Sequence, residues 1–339
     1  MWLQVVLLIV GFVLLYYGAE WLVKGAANLA RSLGVTPVVI GLTVVAFGTS
    51  APEMVVSVIS SLAEKSMIAV GNVVGSNICN IALVLGAAAF FIPLTADKSV
   101  FRRDIPLMIG ISIYLLILSI DSQITRLEGV TLFAGVILYT AFNYFLSTRE
   151  TRLAREIPAR TDTEVAHGRE MVTEAEEELD EIGIIESRPK QIVLIILGIA
   201  GVVIGAQVLI DAAVMIMKTF GVSEKFIGLT IVALGTSLPE LATSVVAALR
   251  KEMDISIGNL IGSNVFNILS VIGAAAIVRP IPIPGGFFES GLVYDYLVML
   301  FVSFLPWLLM QRDYTIRRSS GFLLLCCYAG YMGYLVYTV

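Results

Sequence analysis

Histidine occurs once in 339 residues, cysteine three times, and charged side chains make up only 14% of the chain. The lone His167 excludes zinc sites built on histidine and serine–histidine triads. Three cysteines make no disulfide framework. Cys79 sits inside a repeated segment and Cys326 and Cys327 are adjacent in an apolar run, so all three read as small buried hydrophobes. A soluble domain carries about a quarter charged residues. At 58% hydrophobic and a mean hydropathy of +0.90, this chain belongs in a membrane, with the lipid bilayer as a partner. A formal net charge of −5 provides no basic footprint for nucleic acid.

Against these absences stands a repeat. Ile40–Leu62 reads IGLTVVAFGTSAPEMVVSVISSL, and Ile227–Leu249 reads IGLTIVALGTSLPELATSVVAAL. At an offset of 187, Ile40–Ala89 and Ile227–Ala276 share 27 identities in 50 positions without a gap. Each copy carries one glutamate, Glu53 or Glu240, in sequence apolar enough for a bilayer. A charge there is costly, and a repeated intramembrane carboxylate reads as part of an ion path. The expectation is a transporter of two homologous halves whose glutamates meet near the bilayer midplane.

A hydrocarbon core about 30 Å thick needs roughly 20 apolar residues per helix. That ruler marks ten spans: Trp2–Ala30, Pro37–Leu62, Met67–Phe91, Ile105–Ile120, Leu127–Phe145, Ile192–Lys218, Phe226–Leu249, Ile255–Val278, Leu292–Met310 and Gly321–Val339. Trp2–Val23 has no basic n-region and has an internal counterpart in the same register, so it reads as a retained span rather than a signal peptide. Five spans precede the central hydrophilic stretch and five follow it. An odd number per half starts the second half from the other side of the membrane. The expected fold class is therefore an all-α membrane protein with ten transmembrane helices as two inverted five-helix repeats. Residues 1–146 form the first repeat, 147–190 an acidic cytoplasmic loop and 191–339 the second repeat. With the N-terminus outside, inner loops hold 17 Lys and Arg and outer loops 5, so the positive-inside rule puts both termini outside a cell membrane. Residues 148–190 hold 12 acids against 7 bases. The run Glu174–Glu181 lacks the alternating pattern of a helix–loop–helix calcium site and reads as a solvated, partly helical linker.

The chemistry concentrates in two repeated motifs. In Gly48-Thr49-Ser50-Ala51-Pro52-Glu53 and Gly235-Thr236-Ser237-Leu238-Pro239-Glu240, proline and glycine are expected to break the helix and free carbonyls around Ala46 and Thr49. Unwound backbone at membrane depth is tolerated only where it is buried in protein or lines a cavity. There it presents oxygens, the ligands hard cations require. The second motif is Gly71-Asn72-Val73-Val74-Gly75-Ser76-Asn77-Ile78-Cys79-Asn80, matched by Gly258-Asn259-Leu260-Ile261-Gly262-Ser263-Asn264-Val265-Phe266-Asn267. Ser76 and Asn80, like Ser263 and Asn267, are four apart and share a helix face. Gly71, Gly75, Gly258 and Gly262 make a small-xxx-small stripe for close helix contact. One such proline segment is adequately explained as a kink, and Ser/Asn pairs also serve helix–helix bonding. Two copies with a glutamate at the same offset are not explained by kinks. Glu20, Lys24 and Asp211 fall toward span ends and read as snorkelling or local pairs.

At these residues the chain resembles a sodium/calcium exchanger of the cation/calcium antiporter superfamily, through its GTSxPE and GNxxGSNxxN pairs and across the whole membrane portion. The short central loop resembles prokaryotic members. The resemblance implies a Ca²⁺ site from Glu53, Glu240 and the carbonyls of Thr49 and Thr236. It implies one Na⁺ position near Ala46, Thr49, Ser50, Glu53 and Ser263, and its mate near Ala233, Thr236, Ser237, Glu240 and Ser76. A middle position lies between Asn80 and Asn267. Some members carry aspartate at the position of Asn267, so this chain has two carboxylates where they have three. No cofactor is implied; Ca²⁺ and Na⁺ are the transported substrates.

The resulting expectation is Na⁺-driven Ca²⁺ antiport by alternating access, not an enzyme activity. Within transport the alternative is H⁺/Ca²⁺ exchange, with a buried glutamate carrying the proton. From another class, the two glutamates could be an acid/base pair hydrolysing a lipid-linked substrate. Carboxylates framed by Thr, Ser and Asn oxygens suit ion ligation better. A non-transporting scaffold gives no reason for the repeated carboxylates.

Overall fold

A computed structural model of the chain describes residues 2–156, 185–219 and 235–338. The helices are α1 (Trp2–Leu33), α2 (Pro37–Thr49), α3 (Ala51–Leu62), α4 (Ser66–Phe91), α5 (Ile105–Ser119), α6 (Arg126–Glu156), α7 (Arg188–Thr219), α8 (Leu238–Leu249), α9 (Met253–Val278), α10 (Leu292–Leu309) and α11 (Arg318–Thr338). Among the described residues, seven helices are long and apolar enough to cross a membrane, and an eighth span results if α2 and α3 are one bent crossing. The chain is a mostly helical, multi-pass protein. The acidic run 174–181, His167 and Ala233 lie outside the described residues, as does the first part of the expected span Phe226–Leu249.

Each described span coincides with an apolar run, with differences at the ends. Where Leu127–Phe145 was expected, α6 continues to Glu156, because Arg and Glu beyond the apolar stretch are good helix formers that water can solvate. A π-turn over Val100–Asp104 precedes α5. Two further π-turns interrupt the helices that carry the second motif, Cys79–Leu85 in α4 and Asn267–Ile272 in α9. They fall at nearly the same register of the repeat, and such turns collect at functional sites.

The sequence reading did not foresee four short strands in the loops. β1 (Leu94–Thr95) pairs antiparallel with β4 (Thr315–Ile316), and β2 (Gln123–Ile124) with β3 (Ile281–Pro282). Each ribbon joins a loop of the first half to a loop of the second.

The interior divides into two apolar clusters. Among the described residues, one joins α1 to α7 and touches α2, α8 and α9; the other centres on α4 and α9 and draws in α2, α5, α6, α8, α10 and α11. Contact between α1 and α7 is made by glycine. A Cβ on Gly18 would lie 2.6 Å from the Val202 nitrogen, and one on Gly198 2.5 Å from the Leu22 nitrogen. Only residues without a side chain let two backbones approach so closely. The expected stripe on α9 behaves likewise: a Cβ on Gly258 would meet the Val38 carbonyl at 2.8 Å, and one on Gly262 the Leu42 carbonyl at 2.7 Å. Gly71 and Gly75 on α4 have no neighbour within 4 Å among the described residues, and the repeat counterparts of Val38 and Leu42 lie outside those residues. Cys79 is buried as expected, whereas Cys326 is exposed and Cys327 half-buried. On an apolar helix a thiol faces lipid as readily as core, so adjacency in an apolar run did not imply burial.

Candidate ion site

The two proline motifs act alike. Pro52 has no N–H to offer the Gly48 carbonyl, and Pro239 none for Gly235. At Ser50 (φ −80°, ψ 5°) and Ser237 (φ −90°, ψ 5°) the backbone leaves helical geometry for one residue. Helix α3 leaves α2 at 46°. The expected release of the Ala46 carbonyl does not occur, since it accepts the Ser50 N–H at 3.0 Å and faces the Thr49 hydroxyl at 3.3 Å. Proline removes the donor four residues downstream of a carbonyl, and from Pro52 that carbonyl is Gly48. Glu53 and Glu240 follow in the first turns of α3 and α8, where helix dipoles favour a negative charge.

Both glutamates are fully buried, as are Thr49, Ser263, Asn80 and Asn267, with Ser50, Ser76 and Ser237 nearly so. Ala46 is also fully buried, while Thr236 is half-buried. Thr49 Oγ1 donates to Asn259 Oδ1 at 3.2 Å and lies 3.4 Å from Ser263 Oγ. The Ser50 hydroxyl donates to Glu240 Oε1 at 3.4 Å. Glu53 and Glu240 lie near enough to interact electrostatically, and Ser76 stands beside the Glu53 carboxylate. The structure thus gathers Thr49, Ser50, Glu53, Ser76, Ser237, Glu240, Ser263, Asn80 and Asn267 around the meeting of α2/α3, α4, α8 and α9.

Among the described residues, several oxygens here have no hydrogen-bond partner: both of Glu53, Oε2 of Glu240, Oδ1 of Asn80 and of Asn267, and the Ser237 hydroxyl. A buried polar atom left unpaired costs about 1–3 kcal/mol, and a charged one more. Acceptors outnumber donors among these buried atoms, a condition that a cation or a proton donor would relieve and an anion would not. No group of three or more His, Cys, Asp or Glu that could hold a metal ion occurs among the described residues, so neutral oxygens must complete any such ligand set.

A family model described as sodium/calcium exchanger protein matches residues 3–145 and 190–337. The chain belongs to the sodium/calcium exchanger family. Among its relatives, the inner membrane protein YrbG of Escherichia coli is 38% identical over 92% of this chain and 90% of its own. The sodium/calcium exchanger MaX1 of Methanosarcina acetivorans is 30% identical over 98% of both chains. A solved structure of the sodium–calcium exchanger NCX_Mj, soaked with zero Na⁺ and Ca²⁺, is 31% identical and aligns with a TM-score of 0.79 over 98% of this chain and 99% of that one. The exchanger is thus a transmembrane ion antiporter of prokaryotic type.

Around the candidate site lie residues that the motifs contain but to which no role was assigned from sequence. Asn72 Nδ2 donates to the Ser57 hydroxyl at 3.0 Å and to the Glu53 carbonyl at 3.2 Å. Its counterpart Asn259 donates to Ser244 Oγ at 3.0 Å. Asn77 and Asn264 bond across the interface between repeats. All are identical at the 187 offset, and that identity was the available signal. Glu20 pairs with Arg250 and Asp211 accepts from Gln207 at 3.0 Å, in line with local pairing rather than ion binding.

Proposed function

We propose that the protein is a Na⁺-driven Ca²⁺ antiporter that exports Ca²⁺ by alternating access around one site shared by Glu53 and Glu240. The observation that carries this reading is the convergence of unpartnered buried oxygens from both repeats. Two carboxylates balance one Ca²⁺ or two Na⁺, so the ions compete for the same charge. Glu53, Glu240, Thr49 and Thr236 hold Ca²⁺. Thr49, Ser50, Glu53 and Ser263 hold one Na⁺ beside Ala46, while Thr236, Ser237, Glu240 and Ser76 hold its mate beside Ala233. Asn80 and Asn267 form the middle position.

The architecture proposed is ten transmembrane helices in two inverted five-helix repeats, residues 1–146 and 191–339, joined by a cytoplasmic loop, with both termini outside. The loop ribbons support inversion. β1 and β2 lie at opposite ends of the span that contains α5, so they sit on opposite faces of the membrane. β3 is the repeat counterpart of β1, at 281–282 against 94–95, yet it pairs with β2. Equivalent loops of the two halves therefore face opposite sides.

Flux of radiolabelled Ca²⁺ in proteoliposomes tests the reading. An imposed Na⁺ gradient should drive Ca²⁺ movement, and an imposed pH gradient in Na⁺-free solution should not. Flux that follows the pH gradient alone would replace Na⁺ by H⁺ as the coupling ion.

A further inference from the structure

Four carboxamides meet where α4 crosses α9. Asn77 Nδ2 donates to the Asn264 main-chain carbonyl at 3.2 Å, and Asn264 Nδ2 returns the bond to the Asn77 carbonyl at 3.3 Å. Each of these amides spends its oxygen on the other repeat. Asn264 Oδ1 accepts Asn80 Nδ2 at 3.1 Å, and Asn77 Oδ1 accepts Asn267 Nδ2 at 3.1 Å. All four side chains are completely buried. What remains unpartnered is Oδ1 of Asn80 and Oδ1 of Asn267.

A carboxamide has two ends of opposite polarity, an acceptor oxygen and a donor NH₂. Turned one way it ligates a cation; turned the other way it presents the positive end of its dipole and repels one. Nothing within Asn80 itself selects between the two. The bond to Asn264 Oδ1 engages the NH₂ end and turns the oxygen free, and Asn77 does the same for Asn267. Asn264 and Asn77 are themselves held by the bonds to opposing backbone, which cannot rotate away.

We infer that Asn77 and Asn264 are positioning residues for the middle cation position, each locking the amide of the opposite repeat with its oxygen toward the cation. The inference rests on the reading of Asn80 and Asn267 as cation ligands. Because each lock is supplied by the other repeat, the oxygens are set correctly only when α4 and α9 are packed against each other. Coordination geometry is thereby tied to the assembly of the two halves. With one Na⁺ at each outer position, the middle position is left for a further monovalent ion, whereas Ca²⁺ leans on the two glutamates. Loss of a lock should therefore weaken Na⁺ more than Ca²⁺.

The test measures half-saturating Na⁺ and Ca²⁺ for exchange in proteoliposomes. Asn264→Ala should raise the Na⁺ value about three- to tenfold, the worth of one buried hydrogen bond, and change the Ca²⁺ value by less than about twofold. Asn264→Asp keeps an acceptor for Asn80 Nδ2 and should restore most of the Na⁺ affinity. The decisive arm repeats Asn264→Ala in an Asn80→Asp background. A carboxylate has two equivalent oxygens and needs no orientation, so the alanine should there cause no further loss of Na⁺ affinity. An equal loss in both backgrounds, or an equal loss for Na⁺ and Ca²⁺, would mean that Asn264 merely holds the helices together, and would overturn the inference. If alanine prevents assembly, Asn264→Asp against Asn264→Leu makes the same comparison with shape preserved. Asn80→Ala separates the two levels: no change in Na⁺ dependence would sink the ligand reading itself, while a change there with a silent Asn264→Ala would sink only the positioning role.

Discussion

The two halves of the site have almost the same sequence and different bonding. In one, the Ser50 hydroxyl reaches Glu240 Oε1 at 3.4 Å, and Thr49 is bonded to Asn259. In the other, the equivalent Ser237 hydroxyl and both oxygens of Glu53 have no hydrogen-bond partner among the described residues. Identical motifs related by a pseudo-two-fold axis would bond identically if the axis were obeyed. On the proposed alternating-access reading, this departure is one arrangement of a pair, and exchanging the roles of the repeats would generate the other. The proposed antiport mechanism needs two such arrangements of similar energy, and inverted repeats would supply them from one design. The amide ring, by contrast, keeps its symmetry to within 0.1 Å in both pairs of bonds. The four bonds by which α4 and α9 exchange amides are thus matched from both sides, while the carboxylates and hydroxyls beside them are not.

The largest effect expected is from the carboxylates. Glu53→Gln and Glu240→Gln each remove one of two buried charges at nearly constant shape, and each should abolish Ca²⁺ flux while leaving folded protein in the membrane. Substantial Ca²⁺ flux in either variant would show that the halves do not share one site. The glycine contact between α1 and α7 comes next. Gly198→Val puts a side chain 2.5 Å from the Leu22 backbone nitrogen and should cost upward of about 1–3 kcal/mol in overpacking, read as loss of monodisperse protein and flux. Gly110→Ala, with nothing within 4 Å among the described residues, should match wild type in both.

The bonding asymmetry itself can be sharpened with Ser50→Ala and Ser237→Ala. Each should shift half-saturating Ca²⁺ about two- to tenfold, the range for one ordinary hydrogen bond. In oriented vesicles the two shifts should appear on opposite faces of the membrane. Equal shifts on the same face would mean that the asymmetry is unrelated to access.

The smallest effect belongs to the loop ribbons. Asp313 accepts from the Thr315 N–H at 3.3 Å, as Asp121 does from Gln123 at 3.2 Å, but only Asp313 also pairs with an arginine, Arg317, at 2.5 Å. The hydrogen bond from Arg317 holds the Asp313 carboxyl below the ordinary carboxylate range. A carboxyl so depressed contributes stability above its unfolded pKa and loses it as pH falls through the folded value. Asp313→Asn should therefore lower the melting temperature slightly at neutral pH, and the difference should vanish in acid below the carboxylate range. The pair is exposed, so the shift should be small and disappear in high salt.

Much of this protein was legible in one dimension. The membrane class follows from apolar content, the spans from runs of about 20 apolar residues, and the candidate ligands from a repeat that places Glu53 and Glu240 at the same offset. These features depend on composition and periodicity, which need no partner. The bend at Ser50 was also legible, because proline acts on its own chain. Which carbonyl it releases was misread, because the Ala46 oxygen is taken by its neighbours Ser50 and Thr49. Contacts between segments far apart in sequence were decided only by tertiary packing. Asn77 and Asn264 were visible as repeated residues, but their exchange of bonds exists only where α4 crosses α9. The same holds for the strand pairs and for the free oxygens of Asn80 and Asn267. A sequence determines which groups are present and how they recur, whereas the direction in which an amide points is set by the neighbour that binds its other end.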